Sequence, residues 1–451
     1  MGSRLSASRV YRHLWGGPET DALFDEEAMF RSWLEVLVAL ARAQAELGII
    51  PVASAEAIGA GARVEDLDLD HVAEQTRATS HSTLGLIRGL QRLLPEHARE
   101  HVYLGATVQD VTDTWFGTVL RDVGGIVRRD LCALERALLD LAAAHRTTPM
   151  AGRTHGQPGS PITFGFKVAS WADEIGRHRS RFEEGRARWE VGQLAGAVGN
   201  LAFFGAAGPE LRRRFCARLD LHDPGISWLT ARDRIAEFGG CLAMVCGTLA
   251  RLGTEVYELA RPEIGELAEP APPGAVSSIT MPHKRNPEIA EHLDTLARLA
   301  RSSAGVLLEG MVAAHERDGR AWKAEWIALP EVCQLTATAL RLGRGLVEEL
   351  EVHPDAMART LARSGGSTAE RVLAGLAERI GKHRAQAVLH DILRVEGGDL
   401  AESLAARGLA TADEVRAWAT GSAIDAAAAM VDTVLARAAE RDGVAAARAR
   451  T

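Results

Sequence analysis

The chain has 451 residues, 47% of them apolar and 5% aromatic, and a formal net charge of −8. Such a chain can bury a sizeable core as one large helical body or as about two or three domains, and its wealth of Ala and Leu favours helices over sheets. The acidic balance excludes nucleic acid as a bulk partner but leaves room for a local basic pocket that takes an anionic substrate. Cys132, Cys216, Cys241, Cys246 and Cys333 are scattered without a CxxC pair or zinc-ligand spacing, which fits a reducing cytoplasm. No stretch reads as a signal-peptide core or a membrane span, so a soluble cytoplasmic protein is expected.

Residues 1–20 read as an irregular, solvated arm carrying Arg4, Arg9, Tyr11 and Arg12. From Asp25 to Leu47, Phe30, Trp33, Leu34, Leu37, Leu40 and Ala41 recur at helical spacing, and Gly48 and Pro51 stop the helix. One or two further helices span Asp66 to Leu94, around His71 and His81. Ser80 and Ser82 flank His81, which makes a polar site plausible beside the alternative of a satisfied structural histidine. Tyr103 to Thr114, YLGATVQDVTDT, reads as a turn entering a helix. Gly105 supplies the turn, Thr107 suits the N-cap, and Asp110 and Asp113 fall in the first turns. The amides of such a helix start make a natural seat for a carboxylate.

Leu120, Val123, Val127, Leu131, Leu134, Leu138 and Leu141 then mark one face of a pattern from Asp110 to His145, the length of a bundle helix. Similar patterns run at about 162–190, 231–260, 286–312 and 327–351, which makes five long helices. A slender bundle of this kind exposes broad apolar faces, so oligomerisation is expected. Two polar, glycine-containing breaks interrupt it, Gly152 to Pro161 (GRTHGQPGSP) and Val191 to Asn200 (VGQLAGAVGN). His155, beside Thr154 and Gln157, reads as functional rather than as a capping loop histidine. After His353-Pro354 the helices shorten, with breaks at Gly365-Gly366, Gly381 and Gly397-Gly398. The division expected is an N-terminal helical domain (1–109), a central long-helix bundle (110–352) and a C-terminal helical domain (353–451).

The most chemically loaded stretch is Gly274 to Pro287, GAVSSITMPHKRNP. Its prolines, glycine and adjacent serines make it a loop between helices, with Ser277, Ser278, Thr280, His283, Lys284, Arg285 and Asn286 on it. This loop resembles the signature of the fumarase/aspartase superfamily, and MPHKRNP matches it without a gap. GATVQDVTDT resembles that superfamily's first signature, with Val108 in place of a serine, and GRTHGQP resembles the second. WLTARDRIAEF is similar to a helix start in the adenylosuccinate lyase branch.

The resemblance implies an all-α, three-domain fold with an elongated central bundle, and β-elimination from a substituted succinate with release of fumarate. Counting back from Met281 places Ser278 at the superfamily's first serine, its usual general base. Ile279 stands where a second serine is usual, and Ser277 is the alternative base. Lys284 and Asn286 would hold carboxylate charge, and Thr107 the other carboxylate. His155 would be the general acid or would position the leaving group. His81 matches the second histidine of adenylosuccinate lyases, with Ser82 where an aspartate usually follows. Gln193 occupies the place of a substrate-contacting polar residue, and Arg317 matches an arginine of the nucleotide-binding segment. The resemblance implies no metal or organic cofactor, and a homotetramer whose active sites each draw on three subunits.

For the substrate, HERDGRAWKAEW (His315 to Trp326) is informative. Adenylosuccinate lyases follow the matching arginine with a serine and an arginine that hold the nucleotide phosphate; here Trp322 and Trp326 occupy that region. Two indoles do not replace a cationic phosphate clamp, unless Arg9, Arg12, Arg320 or Lys323 substitutes. AWKAEW and FDEEAMFRSWLEV look more like 3-carboxy-cis,cis-muconate cycloisomerase, a branch that often lacks the histidine matched by His155. The expectation is a lyase for a small dicarboxylate, with nitrosuccinate to fumarate plus nitrite the named activity that fits best. Adenylosuccinate lyase, the cycloisomerase and a catalytically inert structural homologue are the alternatives.

Overall fold

The computed structural model describes residues 8–271, 274, 276–363, 368–396, 399–420 and 424–448. Arg4 of the N-terminal arm and the expected breaks at Gly365-Gly366 and Gly397-Gly398 lie outside these residues. Among the described residues the fold is all-α apart from a few short strands. The five helices expected to be long are Val108–Ala144, Phe164–Glu184, Asp233–Leu259, Glu288–Glu309 and Gly319–Glu348, and Glu26–Glu46 and Asp425–Arg448 match the shorter of them in length.

Local sequence explains most of these elements. Asp25 caps helix Glu26–Glu46 by accepting the Ala28 amide at 2.7 Å, and Asp68 caps Leu69–Thr79 through the His71 amide at 3.0 Å. The region around His71 and His81 is two helices, Leu69–Thr79 and Leu84–Leu93, with His81 in the break. On Val108–Ala144 the expected stripe from Leu120 to Leu138 is fully buried, each such side chain contributing about 1.5–3 kcal/mol. Leu141 is only half-buried, and Ala142 faces the core in its stead. Helix Asp233–Leu259 is apolar and long enough to cross a membrane, but 67% of its apolar window is buried inside the protein, as in a core helix.

Three elements differ from the periodicity. Helix Gly319–Glu348 begins before 327 and runs through Pro330, because Trp322, Glu325 and Leu329 form a buried stripe. A buried glutamate in that stripe counts as polar in any hydropathy pattern. Helix Pro18–Phe24 occupies part of the expected irregular arm. The last helix, Asp425–Arg448, is long where short helices were expected; its alanines propagate a helix well but mark no apolar face.

By contacts the chain divides into two compact units, and the division falls inside all five long helices. The first unit comprises Met1–Asp130, His178–Leu249 and Thr295–Arg341. Its interior holds a buried ion network. Arg232 donates to both carboxylate oxygens of Asp113, at 2.8 and 3.1 Å, and to Glu325 Oε1 at 3.0 Å, with a second bond to Glu325 Oε2. Its guanidinium carbon also stands 5.0 Å from the ring centre of Trp228.

The second unit comprises Leu131–Arg177, Ala250–Asp294 and Leu342–Thr451. It holds an antiparallel hairpin, Pro149–Thr154 paired with Gln157–Thr163. His155 and Gly156 make the two-residue turn with φ of +53° and +76°, the left-handed pair that such tight hairpins require. Arg153 in the hairpin pairs with fully buried Glu266 at 2.7 and 3.0 Å. A separate core of Val372, Leu376, Ala385, Leu389, Ile392, Leu404 and Val415 supports the C-terminal helices.

Replacing Arg232 with Met should leave Asp113 and Glu325 buried without a counter-charge and cost about 3–5 kcal/mol. A clear fall in the thermal unfolding midpoint is expected; an unchanged midpoint would refute the role given to this residue.

Candidate active site

In the first unit the candidate residues collect at the start of helix Val108–Ala144. Thr107 precedes the helix, and its amide donates to Asp110 Oδ2 at 2.8 Å, as in a capping box. The other Asp110 contacts are the amides of Ala195 and Gly196, at 2.8 and 3.0 Å. Burial pushes the Asp110 carboxyl up to about 7, against the pull of these three amides. The protein's own carboxylate therefore takes the Thr107 amide, and the Thr107 hydroxyl does not cap the helix. It accepts a hydrogen bond from Arg317 Nη1 at 2.5 Å, while Arg317 Nε donates to Gln109 Oε1 at 3.0 Å. Sequence reasoning placed Thr107 and Arg317 in separate motifs, and the fold joins them.

Gln193 is fully buried in the same unit. Its backbone exchanges hydrogen bonds with the Thr114 hydroxyl, at 2.8 and 2.9 Å, and its Oε1 accepts the Trp228 amide at 3.3 Å. Its side-chain nitrogen is buried without a partner, an orphan donor of the sort a ligand or water satisfies. His81 is exposed, and its Nδ1 accepts the Leu84 amide at 3.2 Å, which serves the start of helix Leu84–Leu93. Among the described residues no hydrogen bond joins His81 to Thr107, Gln193 or Arg317.

In the second unit the signature loop has an anchored base and an open tip. Arg285 grips Glu351 at 2.8 and 3.1 Å and donates to the Glu269 carbonyl at 2.6 Å. The Glu269 carboxylate in turn caps helix Glu288–Glu309 by accepting the amides of Ile289 and Ala290, at 3.0 and 2.7 Å. Asn286 Nδ2 donates to the Ser277 carbonyl at 2.8 Å, which closes the loop on itself. Ser278 Oγ accepts the Met281 amide at 3.0 Å. An amide aimed at this oxygen stabilises its deprotonated form. Lys284 is exposed, and Ile279, where a second serine was expected, is 93% exposed.

Behind the loop lies a hollow of about 710 Å³, lined by Leu267, Pro270, Ser277, Ser278, Lys284 and His353 among others. His155 stands exposed at the hairpin tip, and no hydrogen bond joins it to the loop among the described residues. Sequence reasoning did not single out Tyr103, Arg153, Glu269 or the buried pairing of Arg232. Arg153 and Arg232 did lie inside recognised motifs, but nothing in a motif says which carboxylate an arginine meets.

The chain matches the lyase family model over residues 17–300. It is 37% identical to an N-acetyl-S-(2-succino)cysteine lyase of Enterococcus italicus, over 87% of this chain and 86% of that protein. It is also 37% identical to an adenylosuccinate lyase of Methanocaldococcus jannaschii, over 87% of this chain and 85% of that one. The crystal structure of the 3-carboxy-cis,cis-muconate lactonizing enzyme from Pseudomonas putida superposes with a TM-score of 0.87 at 31% identity, covering 96% of this chain and 99% of that chain. The chain thus belongs to the lyase family, in the adenylosuccinate lyase and carboxymuconate cycloisomerase branch of the fumarase/aspartase superfamily.

Proposed function

We propose that this enzyme is a β-elimination lyase that splits a compact 2-substituted succinate into fumarate and its leaving group. The relatives named for a thioether substrate and for a nucleotide substrate are equally similar, at 37% identity, so the choice rests on this chain's residues. The observation that carries it is the packing of Trp322 and Trp326. They stack edge to face at 5.1 Å, Trp326 meets Trp33 at 6.1 Å, and Trp322 is buried. Tryptophans committed to a core supply no cation for a phosphate, which leaves Arg320 and the exposed Lys323 as the cations of that segment besides Arg317. Arg320, one of the possible substitutes, is already engaged by Asp318 at 3.0 and 3.1 Å.

In this reading Ser278, deprotonated at Oγ, removes the proton beside one substrate carboxylate. The electron pair passes into that carboxylate, whose added negative charge Lys284 and Asn286 stabilise. It then returns to form the double bond as the bond to the leaving group breaks. Thr107 and Arg317 seat the other carboxylate. His155 gives a proton to the departing group, or positions it, and Gln193 and His81 contact the substrate. Nitrosuccinate is the preferred substrate; nitrite leaves as a stable anion, whereas thiol and amine leaving groups gain from a proton.

A homotetramer that draws each site from several copies accompanies this reading. Two observations support it: His155 and Lys284 are exposed, and apolar Leu299, Val306, Leu308, Met311 and Val312 face solvent in the single chain.

Ser278→Ala should reduce fumarate release, followed by ultraviolet absorbance, by a factor of about 10³ or more with the thermal midpoint kept. Near-normal turnover, with the loss appearing in Ser277→Ala instead, would move the base to Ser277. His155→Asn should slow amine- and thiol-releasing substrates by about 10²-fold and nitrite release far less. A uniform small loss across leaving groups would contradict the acid role. Asn286→Ala should free the loop from Ser277 and speed proteolytic cleavage within 276–283; an unchanged cleavage rate would show the tether to be idle.

A further inference from the structure

Beside Thr107 stands a residue that the superfamily motifs do not single out. Tyr103 has a φ of +62°, the left-handed region, which costs a bulky side chain about 1–3 kcal/mol. The turn that imposes this conformation is held from several sides. Tyr103 O accepts the Ala106 amide at 3.2 Å, Gly105 has a φ of +73°, and buried Gln44 donates through Nε2 to the Leu104 carbonyl at 2.8 Å. The turn sets the phenol hydroxyl against the hydroxyls of Thr83 and Thr107, with the charges of Arg317 and Asp110 nearby. Thr83 is 1% exposed, so its hydroxyl is shut away from solvent on the protein side of the phenol. A strained backbone that holds a phenol between a buried hydroxyl and a Thr–Arg pair is not what packing alone selects.

Resting on the lyase reading above, we propose that Tyr103 is a substrate-binding residue whose hydroxyl donates to the carboxylate seated by Thr107 and Arg317. The seat then offers a guanidinium and two hydroxyls to a group with two oxygens and about four acceptor positions. Thr83 steers the phenol from behind and keeps its O–H turned toward the ligand. Burial, with the negative charge of Asp110, pushes the Tyr103 pKa further above its ordinary value, so the phenol stays neutral and donates throughout the working pH range.

The test compares the full-length wild type with Tyr103→Phe in two measurements, fumarate-release kinetics and calorimetric binding of fumarate. A lost hydrogen bond to a carboxylate predicts a KM and a fumarate Kd about tenfold or more higher. kcat should stay within about threefold, because the bond is made in the ground state and the transition state alike. Acrylate, a monocarboxylate, should bind weakly to both proteins. Tyr103→Asn serves as a second variant, since asparagine tolerates left-handed φ; it should keep the turn and show the same loss. KM and Kd within twofold of wild type would overturn the proposal while leaving the lyase reading standing. Fumarate binding that weakens in Tyr103→Phe, with no succinate turned over by the wild type, would sink the lyase reading and keep the carboxylate seat. A wild type that binds no fumarate would overturn both.

Discussion

The first unit depends on one guanidinium held in a dry interior. Arg232 is bonded to Asp113 on helix Val108–Ala144 and to Glu325 on helix Gly319–Glu348, and all three side chains are essentially inaccessible. Bringing three charges out of water costs several kcal/mol per ion, and an apolar core of the same volume would often be more stable. What the ions contribute is position. The starts of the two helices carry Thr107 and Arg317, and these meet at 2.5 Å. A sliding or rotating helix would break these short, directional bonds. The buried ions thereby hold the register of the proposed carboxylate seat. Burial pushes the Asp113 and Glu325 carboxyls up, against the pull of Arg232 on both and the weaker pull of Arg317 on Asp113.

The second unit uses ion pairs differently, to hold the ends of exposed segments. Arg153 sits two residues before His155 and is locked to Glu266, so the first strand is held close up to the turn that carries His155. Arg285 does the same for the signature loop through Glu351, and Glu269 couples that anchor to the first turn of helix Glu288–Glu309. Between these anchors Val276, Ile279 and Met281 face solvent on either side of Ser278. Apolar side chains held in water beside the Ser278 hydroxyl gain by covering an apolar part of a bound ligand. Anchored base and open tip are the mechanical requirements of a loop that must admit a substrate and then exclude water.

How much of this was legible in the sequence depends on whether the signal was local. The stripe from Leu120 to Leu138 made its helix plain, because one apolar face repeats with helical period. Three matched segments gave the family. Helix Gly319–Glu348 was half hidden because Glu325 and Arg232 satisfy each other across a separation of 93 residues, which no window of sequence can see. The break at GRTHGQP was visible, but its form was not: this two-residue turn has positive φ at both centres, and His-Gly is an uncommon way to supply it. Thr107 read as an N-cap, yet Arg317 claims its hydroxyl. Tyr103 passed unnoticed because a strained φ leaves no trace in residue type.

The proposal that tryptophans stand in place of a phosphate clamp and restrict the site to compact succinates can be tested on substrates alone. The most direct measurement is kcat/KM for fumarate release from nitrosuccinate, a 2-succinyl thioether, argininosuccinate and adenylosuccinate under one condition. Measurable turnover of at least one compact substrate is expected, nitrosuccinate first, with a kcat/KM at least about 10²-fold lower for adenylosuccinate. Adenylosuccinate as the best substrate would contradict it, and would mean that cations elsewhere hold the phosphate.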